Sequence, residues 1–157
     1  MSLPEQSVPR WAVVTTWLLS FIGLATSGYL TFPHYAGTQF LACAESGTIN
    51  CAAVTTSAQS SFLGVPVAVL GLADYLVMVV INSPWAWRSP VRAVHVARVV
   101  LVGASMAFVL WLVAAELLII DHICLWCTGV HVVTLALLVV VSRVSPTQLG
   151  WTRSVAQ

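Results

Sequence analysis

The sequence predicts an all-α membrane protein, built as a four-transmembrane-helix bundle. Hydrophobic residues make up 59% of the 157 residues and charged residues only 7%, whereas a soluble domain usually carries about 25% charged residues. Four apolar runs have about the 20 residues that a helix needs to cross a bilayer. Backbone polar groups inside lipid must be satisfied within the protein, so we expect these runs to be helices.

The four predicted spans are separated by segments of very different length. They cover residues 11–32, 62–81, 99–120 and 123–141. The first span is too long for the apolar core of a signal peptide, and we expect it to be retained as a helix. The segment 33–61 is polar, whereas the third and fourth spans are joined by little more than Asp121 and His122. We therefore expect residues 1–157 to form a single membrane domain.

Positive charge is confined to the ends of the apolar runs and the segments between them. The sequence has no lysine, and its six basic residues are Arg10, Arg88, Arg92, Arg98, Arg143 and Arg153. With four spans, all six arginines fall on the same side of the membrane as the two termini. Because basic residues are enriched on the cytoplasmic side, we expect a multi-pass protein of the inner (plasma) membrane with cytoplasmic termini. The segment 33–61 is then extracytoplasmic.

This topology brings four cysteines to the outer face. Cys43 and Cys51 lie in the polar segment. Cys124 and Cys127 form a Cys-x-x-Cys at the start of the fourth span. Disulfides persist outside the cytoplasm, and a helix N-terminus favours the thiolate that attacks them. We expect a catalytic relay in which electrons pass from partner thiols to the loop pair, then to the Cys-x-x-Cys pair, then to a lipid-soluble acceptor beside Cys127.

Two other interpretations of the cysteines stay open. The four thiols could bind or transport a metal ion, although Cys43 and Cys51 are more widely spaced than the usual zinc-binding pair. They could instead form two static disulfides that clamp the outer segment. The spacing also does not decide which loop cysteine attacks Cys124.

The cysteines and the second span form an ordered series of features. In chain order these are Cys43, Cys51, Ser57, the run GVPVAVLGLADY from Gly64 to Tyr75, and Cys124-x-x-Cys127. In these features the sequence resembles the vitamin K epoxide reductase family, and the resemblance covers nearly the whole chain. In the other well-known four-helix thiol oxidase, the DsbB type, the Cys-x-x-Cys comes first and the spaced pair second.

The resemblance implies a four-helix bundle around a quinone (menaquinone or ubiquinone), with an extracytoplasmic loop and short helix as its cap. It implies that Cys127 of the active-site pair is adjacent to the quinone. It also implies that Cys43 and Cys51 shuttle electrons, with Cys51 pairing transiently with Cys124. Bacterial relatives reoxidise a thioredoxin-fold oxidant of the DsbA type, and animal relatives reduce vitamin K and its epoxide. We expect no fused thioredoxin-like domain, and hence a separate partner of that fold on the outer face.

Polar residues near the cysteines are candidates for quinone binding. His131 stands where the animal enzymes of the family carry a Tyr that can hydrogen-bond the quinone; the alternative is a His bonded to a neighbouring helix. Ser57 and Ser60 either bind the quinone or cap the outer helix. Glu116 and Asp121 are expected to mark the membrane interface, with proton relay to reduced quinone as the alternative.

One further acid, Asp74, lies inside the second predicted span. A charged side chain in the membrane is costly and needs a partner. We expect Asp74 to pair with Arg98 or with a polar face of another helix.

Overall fold

The computed structural model describes residues 8–150, which are mostly helical. In chain order the elements are α1 (Arg10–Ala36), α2 (Cys51–Thr55), β1 (Ser61–Phe62), β2 (Val65–Pro66), α3 (Val67–Ile81), α4 (Pro84–Trp87), α5 (Arg92–Ala115) and α6 (Leu125–Gln148). A π-helical turn over Glu116–Ile120 continues α5. Arg153 lies outside the described residues.

Three of these helices are long and apolar enough to cross a membrane. They are α1 with 27 residues, α5 and its π-helical turn with 29, and α6 with 24. α3 is apolar but has only 15 residues, a length of about 22 Å against a hydrocarbon thickness of about 30 Å. The described residues therefore confirm a largely helical membrane protein, with three helices of spanning length and one shorter apolar helix.

The predicted start of the second span, at residue 62, is wrong. Phe62 pairs with Val65 in an antiparallel hairpin that precedes α3. The turn between them places Leu63 at φ 52° and Gly64 at φ 81°, a left-handed conformation that suits glycine and interrupts a helix. The apolar side chains of this hairpin lengthen the hydrophobic run without being helical.

The other helices extend beyond their predicted ends. α1 continues to Ala36, α5 already begins at Arg92, and α6 continues to Gln148. Hydropathy marks only the part of a helix that matches lipid, whereas the backbone remains helical through the polar residues at either end. The polar segment predicted over 33–61 is correspondingly shorter at its start.

A buried tyrosine joins three helices in the core. Tyr75 on α3 is 2% exposed, and its hydroxyl lies 2.8 Å from the hydroxyl of Thr134 on α6. Its ring occupies the space beside Gly23 of α1, where an added Cβ would overlap it. Small residues let membrane helices approach closely, and that packing replaces the hydrophobic effect as the force between helices in lipid.

The end of the bundle opposite the cysteines holds a buried arginine. Arg98 is fully buried. Its Nε and Nη2 donate to the carbonyl of Ile81 at 3.1 and 2.7 Å, and its guanidinium lies 3.7 Å from the centre of the Trp87 ring.

Asp74 accepts a hydrogen bond from the Ser105 hydroxyl at 2.9 Å. Of the two partners expected for Asp74, the polar face of another helix is therefore the one found.

Candidate functional site

The Cys-x-x-Cys motif forms the N-terminus of α6. Cys124 is the N-cap residue, and its sulfur accepts a hydrogen bond from the backbone N–H of Cys127 at 3.3 Å. Cys124 is fully buried, Cys127 is partly buried, and both are free thiols. A further hydrogen bond from the Cys127 thiol lowers the pKa of Cys124, which precedes the membrane helix, below its ordinary value. Cys124 is therefore the thiol prepared for nucleophilic attack.

The two loop cysteines form a disulfide, with their Cα atoms 6.2 Å apart. Cys51 is the first residue of α2 and is fully buried, whereas Cys43 is partly exposed. α2 begins here because the side chain of Asn50 accepts a hydrogen bond from the backbone N–H of Ala53 at 2.8 Å. The disulfide thus has an accessible end at Cys43 and a buried end at Cys51.

Backbone hydrogen bonds join the Cys51 end of the loop to the residue before Cys124. Ile123 donates its N–H to the carbonyl of Thr48 at 2.9 Å and accepts from the N–H of Asn50 at 3.1 Å. Because Cys51 follows Asn50 and Cys124 follows Ile123, the two cysteines lie in one buried cluster. That cluster consists of Cys51, Val54 and Cys124, with Leu41, Cys43, Ile120 and Cys127 packed against it. All four cysteines therefore meet at one end of the bundle.

Side chains hold the Cys43 end of the loop. The indole N–H of Trp126 donates to the carbonyl of Ala42 at 2.6 Å. The hydroxyl of Tyr29 accepts from the N–H of Ala42 at 2.8 Å and donates to the carbonyl of Phe40 at 3.2 Å. We call this pair the Tyr29–Trp126 clamp. Sequence reasoning missed it. Trp126 lies inside the Cys-x-x-Cys motif, but nothing in the spacing of that motif pairs Trp126 with Tyr29 or Ala42.

A cavity of about 540 Å³ lies between the helices and reaches Cys127. Its volume falls in the range of about 300–1,000 Å³ typical of small-molecule sites. Most of its lining is apolar, with a few polar side chains from α1, α3, α5 and α6. All three residues predicted to contact a quinone line it, namely Ser57, Ser60 and His131. Cys127, not Cys124, is the thiol in the cavity wall.

The three predicted contact residues differ in how their polar atoms are engaged. Ser57 donates its hydroxyl to the carbonyl of Val54 at 2.8 Å, and Ser60 donates to the carbonyl of Ser57 at 2.7 Å. The Ser57 bond satisfies a carbonyl in the last turn of α2, which is the helix-capping role expected as the alternative to quinone binding. Ser60 is bonded to Ser57, just beyond the helix. Among residues 8–150, the His131 ring has no hydrogen-bond partner. His131 therefore lines the cavity, and no neighbouring helix among the described residues hydrogen-bonds its ring.

Glu116, which was expected at the membrane interface, lies in the cavity wall. It is 6% exposed, and its carboxylate interacts with the backbone N–H of Cys124 and the thiol of Cys127. Asp121 is exposed. Glu116 continues the face of α5 that lines the cavity, following Ser105 and Leu112 at ordinary helical spacing. Asp121 comes after the π-helical turn and has a left-handed conformation.

The other interpretations of the cysteines gain no support here. Within the part of the chain that the structure describes, no group of three or more His, Cys, Asp or Glu side chains is placed to hold a metal ion. Two static disulfides would also need a bond between Cys124 and Cys127, which are free thiols.

Comparison with known proteins agrees with this geometry. Curated proteins give no significant match to the chain. A family model described as the vitamin K epoxide reductase family matches residues 14–142, a range that includes all four cysteines. That match covers most of the 157 residues. It shows that the chain, with its helices of membrane-spanning length and its thiol–disulfide site, belongs to the vitamin K epoxide reductase family of membrane oxidoreductases.

Proposed function

We propose that this protein is a thiol:quinone oxidoreductase that takes electrons from a partner's thiols and supports disulfide formation. The observation that carries the proposal is the order of the sulfur atoms. Cys43 is accessible, Cys51 is buried beside Cys124, and Cys127 lines the cavity. Electrons can therefore travel by thiol–disulfide exchange from the surface to a small molecule inside the bundle.

In the outer half of the relay, a partner thiolate attacks Cys43 and breaks its bond to Cys51. The partner's second thiol resolves the mixed disulfide, so the partner is oxidised and the loop pair is reduced. We assign the attack on the inner disulfide to Cys51, because it is the loop cysteine buried with Cys124. This attack releases Cys127 as a thiolate. Cys43 then attacks Cys51, which restores the outer disulfide and leaves two electrons on the inner pair.

The cavity fits a quinone in volume and in its largely apolar lining. When bound, a quinone such as menaquinone or ubiquinone supplies an acceptor for two electrons and two protons. We assign His131 to donate an N–H to a quinone oxygen, since its ring has no other partner among the described residues. Ser57 and Ser60 would first have to release the carbonyls they now bind. Reduction of vitamin K or its epoxide is a further activity that family membership suggests.

We assign residues 1–157 to one membrane domain with four spans, of which α3 is the short one. α1 and α5 start, and α3 and α6 end, at the arginine-bearing end of the bundle. The enrichment of basic residues on the cytoplasmic side then puts both termini in the cytoplasm. The cysteines face outward from the inner (plasma) membrane. A thioredoxin-fold protein of the DsbA type would meet Cys43 there.

The test uses the purified protein in lipid nanodiscs, with a reduced DsbA-type partner and a short-chain quinone. We expect Cys127→Ala to abolish quinone reduction and to accumulate a Cys51–Cys124 disulfide, which peptide mass spectrometry identifies. Cys43→Ala and Cys51→Ala should lose turnover with the partner protein but keep it with a small dithiol that reaches the inner pair. Full quinone-coupled thiol oxidation by Cys127→Ala would refute the proposal.

A further inference from the structure

We propose that Glu116 is a catalytic residue that accepts the proton of the Cys127 thiol when the inner pair is oxidised. The two residues line the same cavity, one from the end of α5 and the other from the start of α6. The Glu116 carboxylate interacts with the Cys127 thiol and with the backbone N–H of Cys124. A general base must come within hydrogen-bond reach of the proton that it removes. The single proton of the Cys127 thiol is donated to the Cys124 sulfur in the reduced pair, so for this step the thiol turns to the Glu116 carboxylate in the same cavity wall.

The surroundings of Glu116 are unusual for a residue with a merely structural role. It is 6% exposed and lies within a helix of membrane-spanning length, where a carboxylate is costly and commonly functional. Among residues 8–150, the basic side chains that line the cavity are those of the two histidines, His34 and His131. The titratable groups that line the cavity are His34, Asp74, Tyr75, Glu116, Cys127 and His131.

Of the carboxyl groups nearby, only Glu116 is placed for this step. Asp74 lines the cavity, but both of its carboxylate oxygens accept from the Ser105 hydroxyl, at 2.9 and 3.0 Å. Asp121 is exposed and does not line the cavity. Glu116 is therefore the carboxyl group that contacts a reacting sulfur.

Oxidation of the two inner thiols to a disulfide releases two protons and two electrons. Cys124 loses its proton to the outer aqueous phase, which its lowered pKa favours. The S–H bond of Cys127 breaks as Glu116 takes the proton. A sulfur–sulfur bond then forms between the cysteines, and two electrons pass to the quinone, an acceptor that this inference takes from the proposed function. Hydroquinone formation consumes two protons, one from Glu116 and one from the aqueous phase.

Two measurements on the variant Glu116→Gln test this assignment. The first is quinone turnover in the four-cysteine protein, which we expect to fall about a hundredfold, the scale of a lost general base. The second is alkylation of Cys127 by iodoacetamide in a background of Cys43→Ala, Cys51→Ala and Cys124→Ser, followed by mass spectrometry. Removing the negative charge beside the sulfur favours thiolate, so alkylation should become about tenfold faster at neutral pH.

Opposite changes in the two measurements distinguish a proton acceptor from a packing residue. Asp121→Asn is the matched control, because it removes an exposed carboxylate five residues away and Asn tolerates the φ of 55° at this position. It should change neither rate. Glu116→Asp keeps the carboxylate and should recover part of the turnover that Glu116→Gln loses.

Wild-type turnover in Glu116→Gln would overturn the assignment. An unchanged rate of Cys127 alkylation in that variant would also overturn it. Slower alkylation together with lost turnover would overturn it too, because it would indicate that the substitution displaces the thiol. If the wild-type protein itself reduces no quinone, the proposed function fails. Faster alkylation of Cys127 in Glu116→Gln would then still support the contact between Glu116 and the Cys127 thiol, and the electrons would pass to an acceptor other than quinone.

Discussion

The rings of Tyr29 and Trp126 pack against each other with their centroids 4.7 Å apart, and both side chains hydrogen-bond Ala42. Trp126 lies between Cys124 and Cys127, and Ala42 directly precedes Cys43. The Tyr29–Trp126 clamp thus ties the accessible end of the outer disulfide to the inner motif. The Cys51 end is tied by backbone bonds to Ile123 instead. Side-chain contacts can open while the backbone pairing persists, so Cys43 is the end of the disulfide that we expect to move.

Weakening the clamp should therefore expose the outer disulfide. Tyr29→Phe removes the hydroxyl that bonds Phe40 and Ala42, at a cost of about 1–2 kcal/mol to the local structure. We expect a small dithiol to reduce the Cys43–Cys51 bond several-fold faster, as measured by trapping the released thiols. Tyr35→Phe is the matched control. Because Tyr35 is 71% exposed, this variant should be reduced at the same rate as the wild type. Equal rates for Tyr29→Phe and wild type would show that the clamp does not restrain the loop.

The contact between Gly23 and Tyr75 makes a prediction about stability. Gly23→Ala places a methyl group where the Tyr75 ring lies, and overpacking of this kind usually costs about 1–3 kcal/mol. The midpoint of thermal unfolding in detergent should fall. Gly103→Ala is the control, since a Cβ there meets no atom within 4 Å, and alanine is the better helix former. A Gly23→Ala variant as stable as Gly103→Ala would contradict the packing.

The helices and the shared position of the cysteines could be predicted from hydropathy and from where the cysteines lie between the spans. Lipid demands long apolar helices, and the count of spans between Cys51 and Cys124 decides that they share a face. The start of α3 could not be predicted in this way, since the turn at Leu63 and Gly64 lies inside an apolar run. Whether the short α3 crosses the whole bilayer depends on how lipid adapts to it, which hydropathy does not describe.

The site was less predictable than the bundle. Cys127, Ser57, Ser60 and His131 line one cavity. The resemblance implies a quinone beside Cys127, and the other three were candidates for contacting it. Glu116 follows Ser105 and Leu112 on one helical face, so helical periodicity could have placed it at the site. The Tyr29–Trp126 clamp depends on contacts between residues far apart in sequence, which leave no periodic signal.

The buried arginine should matter more for stability than the exposed ones. Arg98→Ala removes both donors to the carbonyl of Ile81 and uncovers the Trp87 ring. Hydrogen bonds from charged groups contribute about 1.5–3 kcal/mol, so we expect the unfolding midpoint in detergent to fall markedly. Arg92→Ala removes an exposed arginine from the same helix and should change the midpoint little. Similar midpoints for the two variants would contradict the role of Arg98 at this end of the bundle.

The Cys124 thiol should lose its proton at a lower pH than an ordinary cysteine, because the Cys127 thiol hydrogen-bonds to it. The hydrogen bond from the Cys127 thiol lowers the pKa of Cys124, so Cys124 should hold its thiolate at a pH where an ordinary cysteine is protonated. Below the lowered pKa this advantage disappears, because the thiolate is protonated there too. In a Cys43→Ala and Cys51→Ala background, Cys127→Ala should shift the pH profile of Cys124 alkylation upward. Thr128→Ala, which removes a hydroxyl bonded to the Cys124 carbonyl and not to its sulfur, should leave the profile in place. If Cys127→Ala does not move the profile, the thiolate of Cys124 owes its stability to the N-terminus of α6 and not to its neighbour.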